Sequence, residues 1–310
     1  MGFGGALIWT GIAYNLKKKY PDKSLIFIYE KPLRAYLKRK PVSDHIIYLE
    51  NKSISFIYDK LTWFLKKRFY KKEDILVLYM DNPDYHYWNG STKEKVFYKE
   101  GMHAIQFACN YFNIKNADLK PELNLTKNEI NNAKEVMQRF NLFNTKYICI
   151  EPHAKIEFTP NKEWFWENWI ALIQKLNIYF KNSGYEIKLV QLGVSTDKVL
   201  DNVLDLTGMT SFREAAYLLK HSLMFIGYMG GLVHLNKSVD KKSIVLVSAF
   251  EPLELATYPD DINLYTDIEC KNCGLKIPCP KNRQCMKEIK VDDVFKSSIY
   301  MLKNVLGEIK

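Results

Sequence analysis

Long hydrophobic runs are missing from this sequence. None reaches the length of about eighteen residues that a membrane-spanning helix needs, so the chain does not read as an integral helical membrane protein. A leader pattern is missing too: the first apolar stretch is followed, not preceded, by Lys17, Lys18 and Lys19. The expected location is therefore cytoplasmic. No internal repeat appears beyond an alternation of strand-like and helix-like segments. Acidic residues are in short supply in one half only. Residues 1–145 hold 24 basic and 15 acidic side chains, against 21 and 20 in residues 146–310. Nearly all of the net +10 thus sits on the first half, which fits a phosphate-bearing partner or an anionic membrane surface there, and equally fits a lysine-decorated surface with no special partner.

What is present is the material of a packed protein. A hydrophobic fraction of 47% with 14% aromatics can fill cores, and 310 residues are too many for one ordinary core but suit two domains. Short apolar runs over 25–29, 46–49, 75–80, 147–151, 187–192, 223–227 and 243–247 read as strands. Amphipathic patterns over 6–20, 54–69, 101–112, 127–140, 162–180 and 211–220 read as helices. Strands alternating with helices imply parallel sheets built from βαβ units. The polar stretch 113–126, with Pro121, is the best boundary. It divides the chain into 1–125 and 126–310, two open α/β domains with a ligand cleft between them. Cys109 and Cys149 stand singly among apolar residues and are expected in the cores.

Three segments carry candidate chemistry. The first is the glycine loop at the N-terminus, with Gly4 and Gly5 before a helix. Such a loop should follow a strand, and none precedes it. Either the start lies upstream, which is favoured, or this domain lacks its usual first strand. The second is the stretch 150–169, where His153, Lys155 and Lys162 offer cations or donors in a loop; Trp164, Trp166 and Trp169 read as packing. The third is FIGYMGGLVHL, residues 225–235. There Gly230 and Gly231 would open a helix whose amides can meet a pyrophosphate, with His234 one turn in. Upstream, Thr210 or Ser211 would cap a helix over 211–220, and Met209 at that joint could face a flat base.

At these residues the sequence resembles glycosyltransferase family 9, the ADP-heptose:lipopolysaccharide heptosyltransferase-like enzymes. GFGGALIWTGIAYNLKKKYP resembles the family's acceptor-side loop and helix, and EPHAK with NKEW its phosphate-binding loop. LTGMTSFREAAYLLKHS and GYMGGLVHL resemble its nucleotide-sugar-binding pair, and ECKNCGLKIPCPKNRQCMKEIKVDDV a cysteine-bearing tail found in part of the family. Five motifs in the right order carry the likeness almost end to end. It implies a GT-B architecture, two Rossmann-like domains with parallel sheets facing across a cleft, with the donor on the C-terminal domain. It implies inverting transfer of a sugar from a nucleotide-diphospho-sugar, ADP-heptose being favoured, to an anionic glycolipid or glycan acceptor. No metal is implied for the transfer itself, and no nucleic acid as partner. Lys162 takes the place of a lysine that contacts the donor diphosphate. The donor set is then His153, Lys155, Lys162, Met209, Thr210, Met229, Gly230, Gly231 and His234, with Gly4 and Gly5 on the acceptor side. Peripheral contact with the inner membrane would suit such an acceptor; the segment LTWFLKKRFYKK could supply it, though an ordinary amphipathic helix is the favoured reading.

Two departures bear on activity. The family has Gly-Asp where this chain has Gly4 and Gly5, and that Asp is the usual base. Met229 replaces an acidic or polar residue before the double glycine. Asp81 and His103 are the substitute bases expected here. The alternative is a catalytically impaired member that binds a nucleotide sugar or a partner without transferring.

Four cysteines, Cys270, Cys273, Cys279 and Cys285, follow a C-x2-C-x5-C-x5-C spacing. In a cytoplasmic chain disulfides are disfavoured, and the spacing points to a structural zinc, with iron as the second choice because thiolates suit both. Four reduced thiols in a short tail is the plainer alternative. A knuckle of this kind on a basic chain also raises nucleic-acid binding, but the excess charge lies on the half without the cysteines.

Overall fold

The computed structural model describes residues 3–30, 45–49, 75–79, 101–154, 158–195 and 198–308. The chain forms two compact units, Met1–Asn124 and Leu125–Lys310. Among the described residues no helix is long and apolar enough to cross a membrane.

The first unit opens with α1 (Phe3–Lys19), which buries Ala6, Leu7, Ile8, Trp9, Ile12, Ala13 and Leu16. Its last turn holds Lys17, Lys18 and Lys19, where cations complement the helix dipole, and Pro21 follows where a helix cannot continue. Strands β1 (Ser24–Glu30), β2 (His45–Leu49) and β3 (Ile75–Tyr79) form a parallel sheet in the order β2-β1-β3. The helix α2 (Ala104–Tyr111) lies on α1. Gly11 permits this approach: a Cβ there would stand 2.6 Å from Ile105 Cδ1 and 2.9 Å from the Lys120 carbonyl oxygen.

The polar stretch before the second unit has no helix or strand, yet it is held. Asn15 donates to the Asp118 carbonyl and accepts from the Asp118 amide, both at 2.8 Å. Thr10 accepts from the Glu122 amide, and Gln106 bridges Ile114 and Ala117. Side chains of α1 and α2 thus satisfy backbone groups that have no ladder of their own.

The second unit begins at α3 (Lys127–Arg139), capped by Thr126 in a capping box with Glu129. Glu129 also takes Arg213 Nε at 2.7 Å and Nη2 at 3.3 Å, fastening α3 to α5 (Phe212–His221). The strands β4 (Lys146–Glu151), β5 (Ile187–Gln191), β6 (Leu204–Asp205), β7 (Phe225–Tyr228), β8 (Ser243–Leu246) and β9 (Ile262–Leu264) form one all-parallel sheet. Their order is β6-β5-β4-β7-β8-β9. The apolar runs expected as strands are strands, to within two residues at each end. The strands β6 and β9 were not expected, because two and three half-buried residues give no periodicity to detect.

Two long helices, α4 (Trp166–Asn182) and α8 (Val291–Val305), pack together, and one core gathers Trp169, Leu172, Leu176, Ile226, Leu246, Met286 and Leu302. Between the sheet and α8 run the cysteine segment and the short α7 (Gln284–Lys287). As expected, Cys109 and Cys149 are fully buried, and burial pushes both thiols up to about 12.

Candidate functional site

The strand order of the second unit fixes where a ligand can enter. Connections leave β4 toward one edge of the sheet and return at β7 to run toward the other. In an open α/β sheet the crevice opens outside the carboxyl ends of strands at such a switch point. Here those ends are Glu151 on β4 and Tyr228 on β7; the two strands are neighbours in the sheet, with Glu151 opposite Gly227.

After β7 the chain turns through Met229 and Gly230 into α6 (Gly231–Ser238). Gly230 is the N-cap and brings no side-chain cap, so the first amides of α6 are left to a ligand or to water. Gly230 is extended (φ −152°), so its need for glycine is spatial rather than conformational. A Cβ there would lie 2.5 Å from Cε2 and 2.7 Å from Cζ of Tyr228. Met229 is buried, its amide bonded to the Leu246 carbonyl, so the thioether belongs to the packing under the turn.

His234 is buried one turn into α6, with Nδ1 2.8 Å from the Tyr258 hydroxyl. Burial, and then the charge of Lys162, push its pKa down to about 3, so the imidazole is neutral. Lys162 pairs with Glu251 at 2.5 Å and sits near the rings of Phe250 and Phe158, 5.0 and 5.6 Å from their centroids. At the end of β4, Glu151 is a buried acid whose Oε2 has no partner among the described residues, and burial drives its pKa well above the ordinary range. Burial there favours its protonated, uncharged form.

The structure therefore gathers Gly230, Gly231, His234 and Lys162 at one sheet edge, with Met229 beneath. His153 follows β4 and is occupied: Nδ1 faces Glu163 at 3.4 Å, Nε2 donates to the Lys198 carbonyl at 3.0 Å, and the ring stacks on Trp166 at 4.9 Å. Burial alone would raise the Glu163 carboxyl, but hydrogen bonds from His153 and the Ala154 amide bring it below the usual range. Trp164 and Trp169 are buried as expected of packing residues. Met209 is exposed on the turn before α5, and Ser211, not Thr210, caps that helix, in a capping box with Glu214. Lys155 lies outside the described residues.

On the first unit, Gly4 and Gly5 stand in the first turn of α1 rather than in a loop ahead of it. His103 is the N-cap of α2 and is buried; its Nδ1 accepts from the Ile105 amide at 3.1 Å. Asp81 lies outside the described residues.

All four cysteines of the C-terminal segment line one cavity of about 80 Å³, together with Asn161, Phe250 and Arg283. They are free thiols, and burial raises those of Cys273 and Cys285. Among the described residues no group of three or more His, Cys, Asp or Glu side chains is arranged to hold a metal ion. The closed tetrahedral set expected from the spacing is thus not formed as the thiols stand.

Sequence reasoning missed Glu251, Tyr258 and Glu163. Glu251 lies 89 residues from Lys162 in a loop with no motif of its own, so only the fold brings the two together.

Comparison with curated proteins finds no match. Among solved structures, the chain is similar to a glycosyl transferase family 9 protein from Veillonella parvula DSM 2008 at 15% identity, covering 98% of this chain and 95% of that one, with a TM-score of 0.70. It is similar to the E. coli ADP-heptose lps heptosyltransferase II at 15% identity, over 97% and 96% of the two chains, with a TM-score of 0.58. It is also similar to the iron-containing dodecameric glycosyltransferase TibC from enterotoxigenic E. coli H10407 at 13% identity, over 98% and 75%, with a TM-score of 0.61. The fold is accordingly α/β and of the GT-B type. Residues 95–283, more than half of the sequence, match glycosyltransferase family 9 (heptosyltransferase), and the chain belongs to that family.

Proposed function

We propose that the protein is an inverting glycosyltransferase that moves a sugar, heptose in the favoured case, from a nucleotide-diphospho-sugar onto the core of lipopolysaccharide or another surface glycan. ADP-heptose is the favoured donor; the solved relative heptosyltransferase II carries that donor in its name. The observation that carries the reading is the uncapped start of α6 at the switch point, with Lys162 and His234 beside it. A diphosphate there would take backbone N–H bonds, the positive end of the helix dipole and one cation. The same groups stabilise the nucleoside diphosphate as it leaves with the electron pair of the broken anomeric C–O bond. The acceptor hydroxyl forms the new bond and gives its proton to a base.

Of the two candidate bases, His103 spends its Nδ1 lone pair on the Ile105 amide. In the neutral ring Nε2 then carries the proton, and a second one enters only if the cap breaks. This favours Asp81. Gly5, at the usual base position, has no group to take a proton, and that observation supports the second reading: a member that binds a nucleotide sugar without transferring it.

ADP release from ADP-heptose, with and without added lipid A–core acceptor, separates the two. Acceptor-dependent release that Asp81→Asn abolishes supports transfer with Asp81 as base. Tight ADP binding with no release under any condition supports the silent reading, and absence of nucleotide binding overturns both.

The four cysteines are proposed as a structural metal site, for zinc first and iron second; TibC is described as iron-containing. Four thiols around one small cavity are a donor set that either ion accepts, and binding would deprotonate Cys273 and Cys285, whose thiols burial raises. The ion would pin the segment without taking part in transfer. Elemental analysis of protein purified without chelator should find one ion per chain; finding none refutes the site.

A further inference from the structure

The proposed donor site holds a charge conflict. Lys162, proposed to carry a positive charge to the diphosphate, is already neutralised: its Nζ lies 2.5 Å from Glu251 Oε1, and the two side chains are only 11% and 12% exposed. The rings of Phe250 and Phe158 stand close to the ammonium and limit access of water to the pair. His234 contributes no charge, being neutral. A nucleotide-diphospho-sugar would bring two negative charges to a lysine–glutamate pair whose sum is zero. Its second charge would then face a poorly solvated carboxylate, and like charges repel strongly in such surroundings.

We propose that Glu251 is an internal competitor of the donor's diphosphate, a carboxylate that holds Lys162 in the nucleotide-free protein and releases it when the diphosphate arrives. The proposal rests on the donor-site reading given above. Glu251 sits on the loop after β8, just ahead of Pro252 and a 3-10 turn over Leu253–Leu255, so it can leave Lys162 without disturbing the sheet. A phosphate oxygen can replace a carboxylate oxygen on an ammonium, whereas a hydroxyl cannot match its charge. Only ligands with a phosphate therefore open the pair, and nucleosides or free sugars leave it closed. The competition lowers the apparent affinity by the fraction of molecules in which Lys162 is free. Glu251 thus determines how strongly the site discriminates a nucleoside diphosphate from the parts of one.

Calorimetric titration with ADP and with adenosine tests this on the full-length protein. In Glu251→Gln the ADP dissociation constant should fall about three- to tenfold, while adenosine affinity stays where it is. Glu251→Asp, whose shorter arm weakens the pair, should show a smaller gain and stands in if the glutamine variant does not fold. In Lys162→Met, ADP binding should weaken by about tenfold or more. ADP binding by Glu251→Gln that equals or falls below the wild type overturns the competition, since Glu251 would then be positioning Lys162 rather than opposing the ligand. If none of the proteins binds ADP, the donor-site reading itself fails, and the competition with it.

Discussion

Asn161 Oδ1 accepts a hydrogen bond from the Cys279 amide at 3.0 Å, joining the residue before Lys162 to the middle of the cysteine segment. The Asn161 amide group donates to the carbonyls of Leu275 and Ile277 at 2.9 and 2.8 Å, and the Thr159 hydroxyl also reaches Leu275. From the other side, the amides of Cys273 and Gly274 donate to the carbonyls of Ala249 and Phe250 at 3.1 and 2.9 Å. The cysteine segment is thus fixed to both loops that carry the Lys162–Glu251 pair.

Removing the Asn161 side chain should therefore be felt at the site as well as in the fold. Asn161→Ala leaves the Ile277 carbonyl and the Cys279 amide without their partner and the Leu275 carbonyl with Thr159 alone, and should cost about 2 kcal/mol in urea unfolding. It should also weaken ADP binding, because Lys162 loses its neighbour's anchor. Asn161→Asp keeps the acceptor for Cys279 but turns a carboxylate oxygen on two carbonyls, so it should lose at least as much as Asn161→Ala. ADP affinity unchanged in Asn161→Ala would show that the loop holds its shape without the clamp.

The turn into α6 makes a sharper test. Gly230→Ala places a methyl 2.5 Å from the Tyr228 ring, which must rotate or shift the turn. Overpacking of this kind costs about 1–3 kcal/mol. The loss should shrink when Tyr228→Leu is added, since the obstructing ring is gone. Denaturant midpoints of the two single variants and the double variant measure it directly. Strict additivity would mean that the methyl and the ring do not meet.

The backbone of this site was legible in the sequence, and its electrostatics were not. Gly230, Gly231 and His234 announce a strand-to-helix joint because residues 225–227 are a short apolar run and the glycines interrupt it. A cap at Thr210 or Ser211 is likewise a local signal, and the structure gives it to Ser211. Glu251, Tyr258 and the Asn161 clamp depend on neighbours that only the parallel sheet assembles. The glycine opening was legible as composition but not as conformation: Gly4 and Gly5 join α1 because the apolar face beginning at Ala6 extends the helix back through them.

His234 should not titrate in the physiological range. Its folded pKa is depressed to about 3 by burial and then by Lys162, against 6.5 for the free side chain. Below 6.5 the unfolded chain takes up a proton that the folded chain refuses, so this residue's contribution to stability declines as pH falls from 6.5 toward 3. The imidazole signal of His234 in NMR spectra should hold its neutral position from pH 8 to pH 5 and titrate normally in urea. A folded-state midpoint near 6 would mean that the ring is hydrated and charged at the site.

Asp261 gives the opposite slope. Its Oδ1 accepts from the Ser243 amide at 2.7 Å, while its buried Oδ2 has no partner among the described residues. Burial, the larger cause, raises the carboxyl from 3.8 to about 7, with Asp260 adding to the rise. Between those values the unfolded chain is ionised and the folded one holds its proton, so stability falls as pH rises from 3.8 to about 7. Asn in this place can keep the bond to Ser243 without the ionisation. Asp261→Asn should thus gain on the wild type by roughly 2 kcal/mol in urea unfolding between pH 5 and pH 7.5. A constant difference between the two proteins across that range would show that the Asp261 carboxyl ionises alike in both states.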